Sequence, residues 1–111
     1  MTAKKPARAR TLRRAAQNDV RKLGQKLDRL EVELPGGSPA RPVAVASASV
    51  VEVRARAERC LACEGELIIR AHEAERGAPA GHGQLRRVDL ACASCRRPRS
   101  LWLRIEPPVA N

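Results

Sequence analysis

Cys60-Leu61-Ala62-Cys63 and Cys92-Ala93-Ser94-Cys95 are two C-x-x-C pairs with 28 residues, 64–91, between them. Each pair brings two sulfurs to the tip of one turn. Two such tips facing each other supply four thiolates, the tetrahedral donor set that Zn²⁺ takes at about 2.3 Å. Four protein ligands leave no open coordination position. The spacing therefore predicts one structural Zn²⁺ on Cys60, Cys63, Cys92 and Cys95, with no metal-activated water. The spacer exceeds the about 15 to 20 residues of the simplest finger. A long hairpin of two nearly equal arms absorbs the excess, because its far end folds back and returns the second pair beside the first.

The residues around the pairs fit those arms. Stretch 66–75 (ELIIRAHEAE) predicts a strand with Leu67, Ile69 and Ala71 on one face, and 77–83 (GAPAGHG) a turn. Stretch 84–91 returns, with Val88 and Leu90 entering the second pair. A last strand over 100–105 puts Leu101, Leu103 and Ile105 on one face and Trp102 with Arg104 on the other, and Pro107-Pro108 ends the sheet. Ahead of the first pair, Val51, Val53, Ala55 and Ala57 alternate with Glu52, Arg54 and Arg56, which predicts a further strand within 43–57. His72 is expected mid-strand on the sheet surface. His82 falls in the far turn, roughly 25 to 30 Å from the metal at about 3.3 Å per residue, and cannot reach it.

Two cysteine pairs on antiparallel strands resemble the zinc ribbon superfamily, over about residues 49–106. The resemblance implies a small metal-bound β domain of antiparallel hairpins. Ribbons of this kind occur in transcription factors, RNA polymerase subunits and ribosomal proteins, and in many small bacterial proteins of unknown role. Glycine often follows the second cysteine of such a knuckle, whereas Glu64-Gly65 and Arg96-Arg97 stand here, so the turn at Cys95 departs from the pattern. Transcript-cleavage factors of the superfamily carry an acidic pair at the hairpin tip. Residues 77–81 contain none, and that activity is not implied.

Composition makes the metal matter. The 111 residues include no Phe and no Tyr, and the single aromatic is Trp102. Chains this small commonly need a metal, disulfides or a partner to supplement the core. Alanine-rich apolar content buries little area. Structural zinc, at about 10 to 16 kcal/mol of apparent binding free energy, can decide folding, so the metal-free chain is expected to be largely unfolded. Residues 1–16 lack the apolar run of a secretory signal, although an Arg-rich, acid-free start also resembles an organellar transit peptide. No stretch approaches the ~20 apolar residues of a membrane span. A reducing cytoplasm is the expected compartment, where such pairs bind metal rather than form disulfides.

The rest of the chain divides into a basic disordered arm (1–10), an amphipathic helix (11–34), a linker (35–48), the ribbon (49–106) and a tail (107–111). Ala16, Val20, Leu23, Leu27, Leu30 and Leu34 recur at spacings of four and three, a heptad seam of about two and a half repeats. Pro35-Gly36-Gly37 stops the helix. Its charges oppose its own dipole, with Arg13 and Arg14 in the first turn and Glu31 and Glu33 in the last. An external anion at the basic end would account for that, and so would ordinary solvated charges.

Two functions follow. Net charge is +10, with ten basic against four acidic residues up to Leu34 and twelve against eight after it. Lys4, Lys5, Arg8, Arg10, Arg13 and Arg14 are candidates for nucleic-acid backbone or an acidic protein surface, joined by Arg86, Arg87, Arg96, Arg97 and Arg99 near the second knuckle. Trp102 alone is thin support for base stacking, and packing against the helix or the back of the sheet is its other use. The second function is an interaction module, whose seam of Val20, Leu23, Leu27, Leu30 and Leu34 pairs as a homodimer, docks a partner or docks on its own sheet. The cysteines are committed, and no nucleophile triad or phosphate-binding glycine loop is present. Glu73 and Glu75 are expected as surface charges. An enzyme, a small-molecule substrate and a membrane partner are therefore not expected.

Overall fold

The computed structural model describes residues 8–75 and 84–106. Lys4, Lys5, the turn at 77–83 with His82, and Pro107-Pro108 with the tail lie outside the described residues. Helix α1 (Ala9–Glu33) leads to strand β1 (Val43–Val45), helix α2 (Ala48–Arg56), and strands β2 (Leu67–Ala74), β3 (Gln84–Cys92) and β4 (Pro98–Ile105). The four strands form one sheet in the order β1-β4-β3-β2.

Strands β2, β3 and β4 form the expected antiparallel meander. Leu67 pairs with Cys92 and Ala74 with Arg86, so the hairpin arms are equal and the second cysteine pair returns to the first. A bulge between Ile69 and Ala71 shifts the alternation. Ala71 therefore lies opposite Asp89 and His72 opposite the fully buried Val88. This corrects two expectations: Ala71 leaves the face of Leu67 and Ile69, and His72 joins it. The His72 side chain is mostly covered, with Nδ1 4.0 Å from a Glu52 carboxylate oxygen. Nothing in the regular alternation of this stretch marks an extra residue, which is why the bulge escaped it.

The strand expected within 43–57 is three residues of strand followed by a helix. Residues four apart share a face in both a strand and a helix, so buried Val51 and Ala55 satisfy either period. Val53 separates the two cases. A strand would bury it with them, whereas it is 65% exposed. Alanine, arginine and glutamate favour the helix despite the valines. Strand β1 then pairs parallel to β4, Val43 against Leu103 and Val45 against Ile105, so the sheet is mixed rather than purely antiparallel.

Stretch 35–48, expected as a linker, is built into that sheet edge. Gly36 is buried at φ +80, and a Cβ there would meet Leu101 and Val43 side chains at 2.5 and 3.0 Å. Its carbonyl accepts the Trp102 backbone N–H at 2.7 Å, and its own N–H donates to the Arg41 carbonyl at 2.6 Å. The end of α1 is thereby tied to the middle of β4.

The core lies between the sheet and α2, with Val45, Val51, Ala55, Leu67, Val88, Leu90, Leu101, Leu103 and Ile105, and it is continuous with Cys60 and Cys92. Helix α1 contributes no apolar side chain to it. Docking of the seam on its own sheet, one of the sequence expectations, is not what the fold does. Substitutions in α2 separate helix from strand: Val53→Ala leaves stability unchanged or raises it by up to about 0.5 kcal/mol through helix propensity, whereas Val51→Ala costs about 2 kcal/mol. Denaturant unfolding of both variants measures the contrast.

Candidate metal centre

The sulfur atoms of Cys60, Cys63, Cys92 and Cys95 lie within 4.8 Å of one another. Sγ of Cys60 is 3.5 Å from that of Cys95, and Sγ of Cys63 is 3.4 Å from that of Cys92. A tetrahedral ion bound at about 2.3 Å needs sulfur–sulfur edges of about 3.8 Å, which lies inside this range. The four residues can therefore hold one metal ion with no other protein ligand. Cys60 and Cys92 face the core, while Cys63 and Cys95 are exposed.

Both loops close by the same hydrogen bonds. Glu64 N–H donates to the Cys60 carbonyl at 2.8 Å, and Cys60 N–H to the Gly65 carbonyl at 3.0 Å. In the second loop Arg96 N–H donates to the Cys92 carbonyl at 2.9 Å, and Cys92 N–H to the Arg97 carbonyl at 3.0 Å. Glu64 and Arg96 both take the left-handed conformation, at φ 61 and 64. The departure from glycine at Cys95 thus leaves the turn geometry intact, at a cost of roughly 1 to 2 kcal/mol for each left-handed non-glycine residue. Gly65 has a separate constraint. A Cβ there would stand 2.8 Å from the Cys92 sulfur and 3.1 Å from that of Cys63.

Backbone dipoles prepare the sulfurs for a cation. Amide groups of Ser94 and Cys95 both donate to the Cys92 sulfur at 3.4 Å. The Cys95 amide above all lowers the Cys92 thiol to about 6, from the usual 9.0. Cys63 is pushed up to about 12, chiefly because its thiol shares a proton with Cys92. The Ser94 and Cys95 amides thus favour negative charge on the Cys92 sulfur, and binding a metal displaces protons from the set.

The second loop also carries the attachment of α1. Arg97 donates to Glu31 Oε2 at 2.8 Å and to Asp28 Oδ1 at 2.6 Å. Arg99, with a side chain only 3% exposed, pairs with Glu31 at 3.7 Å and Glu58 at 3.4 Å. It also donates to the Arg59 carbonyl at 3.0 Å. Arg54 closes on Glu58 at 2.7 Å. Burial works against the Arg97 charge, yet the Glu31 and Asp28 carboxylates more than offset it and raise its pKa. Removing Glu31, the covered partner of both Arg97 and Arg99, costs about 3 to 5 kcal/mol, whereas the exposed Asp28 contributes little.

These pairs correct the expected basic patch. Arg97 and Arg99 face inward and hold α1. Arg87 lies on the open sheet face, paired with Glu73 at 3.1 Å, Glu75 at 3.5 Å and Asp89 at 3.5 Å. Its guanidinium stands 5.8 Å from the Trp102 ring centroid. Trp102 thus packs on the open sheet face with Arg87 and not against α1. Glu73 and Glu75, expected as plain surface charges, serve as partners of Arg87. Arg86 is half-buried and donates to the Gln84 amide oxygen at 2.9 Å. Arg96 is exposed at the knuckle, and Arg8, Arg10, Arg13 and Arg14 are exposed on or beside α1. Sequence reasoning missed Asp28, Glu31 and Glu58 as partners. The acids at the C-terminal end of α1, where the dipole disfavours them, were the available signal, and Arg97 supplies the cation they lacked.

No helix among the described residues is long and apolar enough to cross a membrane. Comparison of the chain with protein-family models, curated proteins and solved structures finds no match. Substitution of Gly65 by alanine is expected to weaken metal affinity about 10- to 100-fold by crowding two sulfurs. Competition against a chromophoric chelator measures it.

Proposed function

We propose that the chain is a zinc-ribbon binding protein, with one structural Zn²⁺ in the four-cysteine site and a basic helical arm that contacts nucleic-acid backbone. Four thiolates in a tetrahedral arrangement suit Zn²⁺, which has no redox chemistry of its own and is saturated by this set. The residues then act as a frame: the metal joins the knuckles, and the knuckles hold α1 through Arg97 and Arg99.

The observation that carries the nucleic-acid part is the row of unpaired arginines along α1. Arg87, Arg97 and Arg99 of the ribbon are matched by carboxylates, whereas Arg10, Arg13, Arg14 and Arg21 of α1 make no ion pair among the described residues, nor do Arg56, Arg59, Arg70, Arg86 and Arg96 of the ribbon. Arg10, Arg13 and Arg14 surround a surface recess of about 400 Å³ with Gln17. At 100° per residue Arg10, Arg14 and Arg21 fall in one stripe, as phosphate contacts along a duplex or structured RNA would require. The first turn of α1 has no acidic residue, so its dipole adds to the attraction for an anion.

Two measurements test the parts separately. Protein purified without added metal is expected to carry one zinc per chain by elemental analysis. Chelation is expected to abolish its β-sheet circular dichroism, since the metal term of about 10 to 16 kcal/mol matches or exceeds the about 5 to 15 kcal/mol of a domain's stability. A metal-free preparation that keeps its fold overturns the structural role. For binding, fluorescence anisotropy with duplex RNA and DNA is expected to show affinity falling linearly with salt on logarithmic axes, with Arg10→Gln, Arg14→Gln and Arg21→Gln each reducing the slope by about 1. Salt-independent binding, or none at low salt, overturns the nucleic-acid assignment.

A further inference from the structure

We infer that α1 is one half of an antiparallel homodimer, its seam covered by α1 of a second copy. The inference stands apart from nucleic-acid binding, because the seam and the arginine stripe lie on different sides of the helix.

Every residue from 8 to 23 is exposed. A helix that receives no tertiary packing over that length is marginal in water, since helical stability in proteins comes mainly from a buried face. The uncovered face is apolar: Val20 is 72% exposed, Leu23 58%, Leu30 55% and Leu34 37%. Leu12 extends it by two turns and is 60% exposed. In heptad terms Val20, Leu27 and Leu34 occupy a, Ala16, Leu23 and Leu30 occupy d, and Asp19, Lys26 and Glu33 occupy g.

Charge selects the second copy and its direction. A parallel pair would set Arg13, at an a position, against its own copy. It would also place Asp19 beside Gly24 of the other copy. An antiparallel pair separates the two Arg13 side chains and lays the basic N-terminal half of each helix along the charge-balanced C-terminal half of the other. The first turn, with Arg10 and Arg13, then sits beside the negative dipole end of the second helix. The register follows from the same charges. With Val20 against Leu23 of the second copy, Asp19 lies abreast of Lys26, twice by symmetry, and the helices overlap over their whole length. With Leu23 against Leu27, one heptad along, Lys26 faces Lys26 and Asp19 faces Glu33.

Sedimentation equilibrium of the metal-loaded full chain tests this without nucleic acid. The wild type is expected at twice the monomer mass. Asp19→Lys and Lys26→Asp are each expected to weaken dimerisation roughly 10-fold, because each turns two attractions into repulsions, and the double swap to restore it to within about 3-fold. Leu23→Asp, at an exposed position, is expected to give monomers that keep their zinc and their sheet signal. A wild type that stays monomeric at about 100 μM overturns the inference. So does a dimer in which Asp19→Lys has no effect and Lys26→Asp is not rescued, the pattern of a parallel pair.

Discussion

Four sulfur atoms confined within 4.8 Å are the constraint on which this fold depends. Two loops 29 residues or more apart in sequence meet there, beside the Ala93 N–H donated to the Glu66 carbonyl at 2.9 Å. Apolar burial is modest because the core is made of valine, leucine, isoleucine and alanine, without a Phe or Tyr. Such a core offsets chain entropy only narrowly in a domain of this size. A metal closing the long loop adds its binding free energy to the folded state alone, and the near-identical hydrogen bonding of both knuckles prepares the sulfurs to receive it.

The second knuckle does more than supply two ligands. Arg97 and Arg99 stand two and four residues after Cys95, and through Glu31 and Asp28 they fix the C-terminal turns of α1. Gly36 fixes the next turn of chain against β4. These two attachments, one ionic and one by backbone hydrogen bond, set where α1 starts its path away from the sheet. Any ligand or second copy held by α1 is thereby placed relative to the metal site, although it touches neither cysteine pair.

The four-cysteine cluster, the paired hairpin arms and the three antiparallel strands were legible because each rests on a local rule: C-x-x-C spacing, period-two alternation, and nearly equal arms on either side of a turn-rich segment. What escaped rests on tertiary context. Val51 and Ala55 satisfy two periods at once, and only the exposure of Val53 decides between them. The bulge after Ile69 moves His72 to the covered face without changing composition. Pro35-Gly36-Gly37 looks like a linker because glycine suits both flexible chain and close packing, and here Leu101 and Val43 leave no room for a Cβ. Arginine is the hardest to read, since nothing local separates a buried guanidinium from a free one.

That last ambiguity carries the functional argument. A net charge of +10 suggests a basic surface everywhere, but the ribbon spends several of its arginines on carboxylates: Arg87 on three of them, Arg97 on two, Arg99 on two. Exposed pairs of this kind contribute little stability, while the Arg99 pairs, out of water, hold elements in register. Among the described residues Arg10, Arg13, Arg14 and Arg21 stay unmatched on α1, which also carries the uncovered apolar seam, and Arg56, Arg59, Arg70, Arg86 and Arg96 stay unmatched on the ribbon. What sets α1 apart is that unpaired arginines and an exposed apolar seam share one element that the core does not use. The proposed nucleic-acid contact and the proposed dimer both draw on this one helix, anchored beside the four-cysteine site through Arg97 and Arg99.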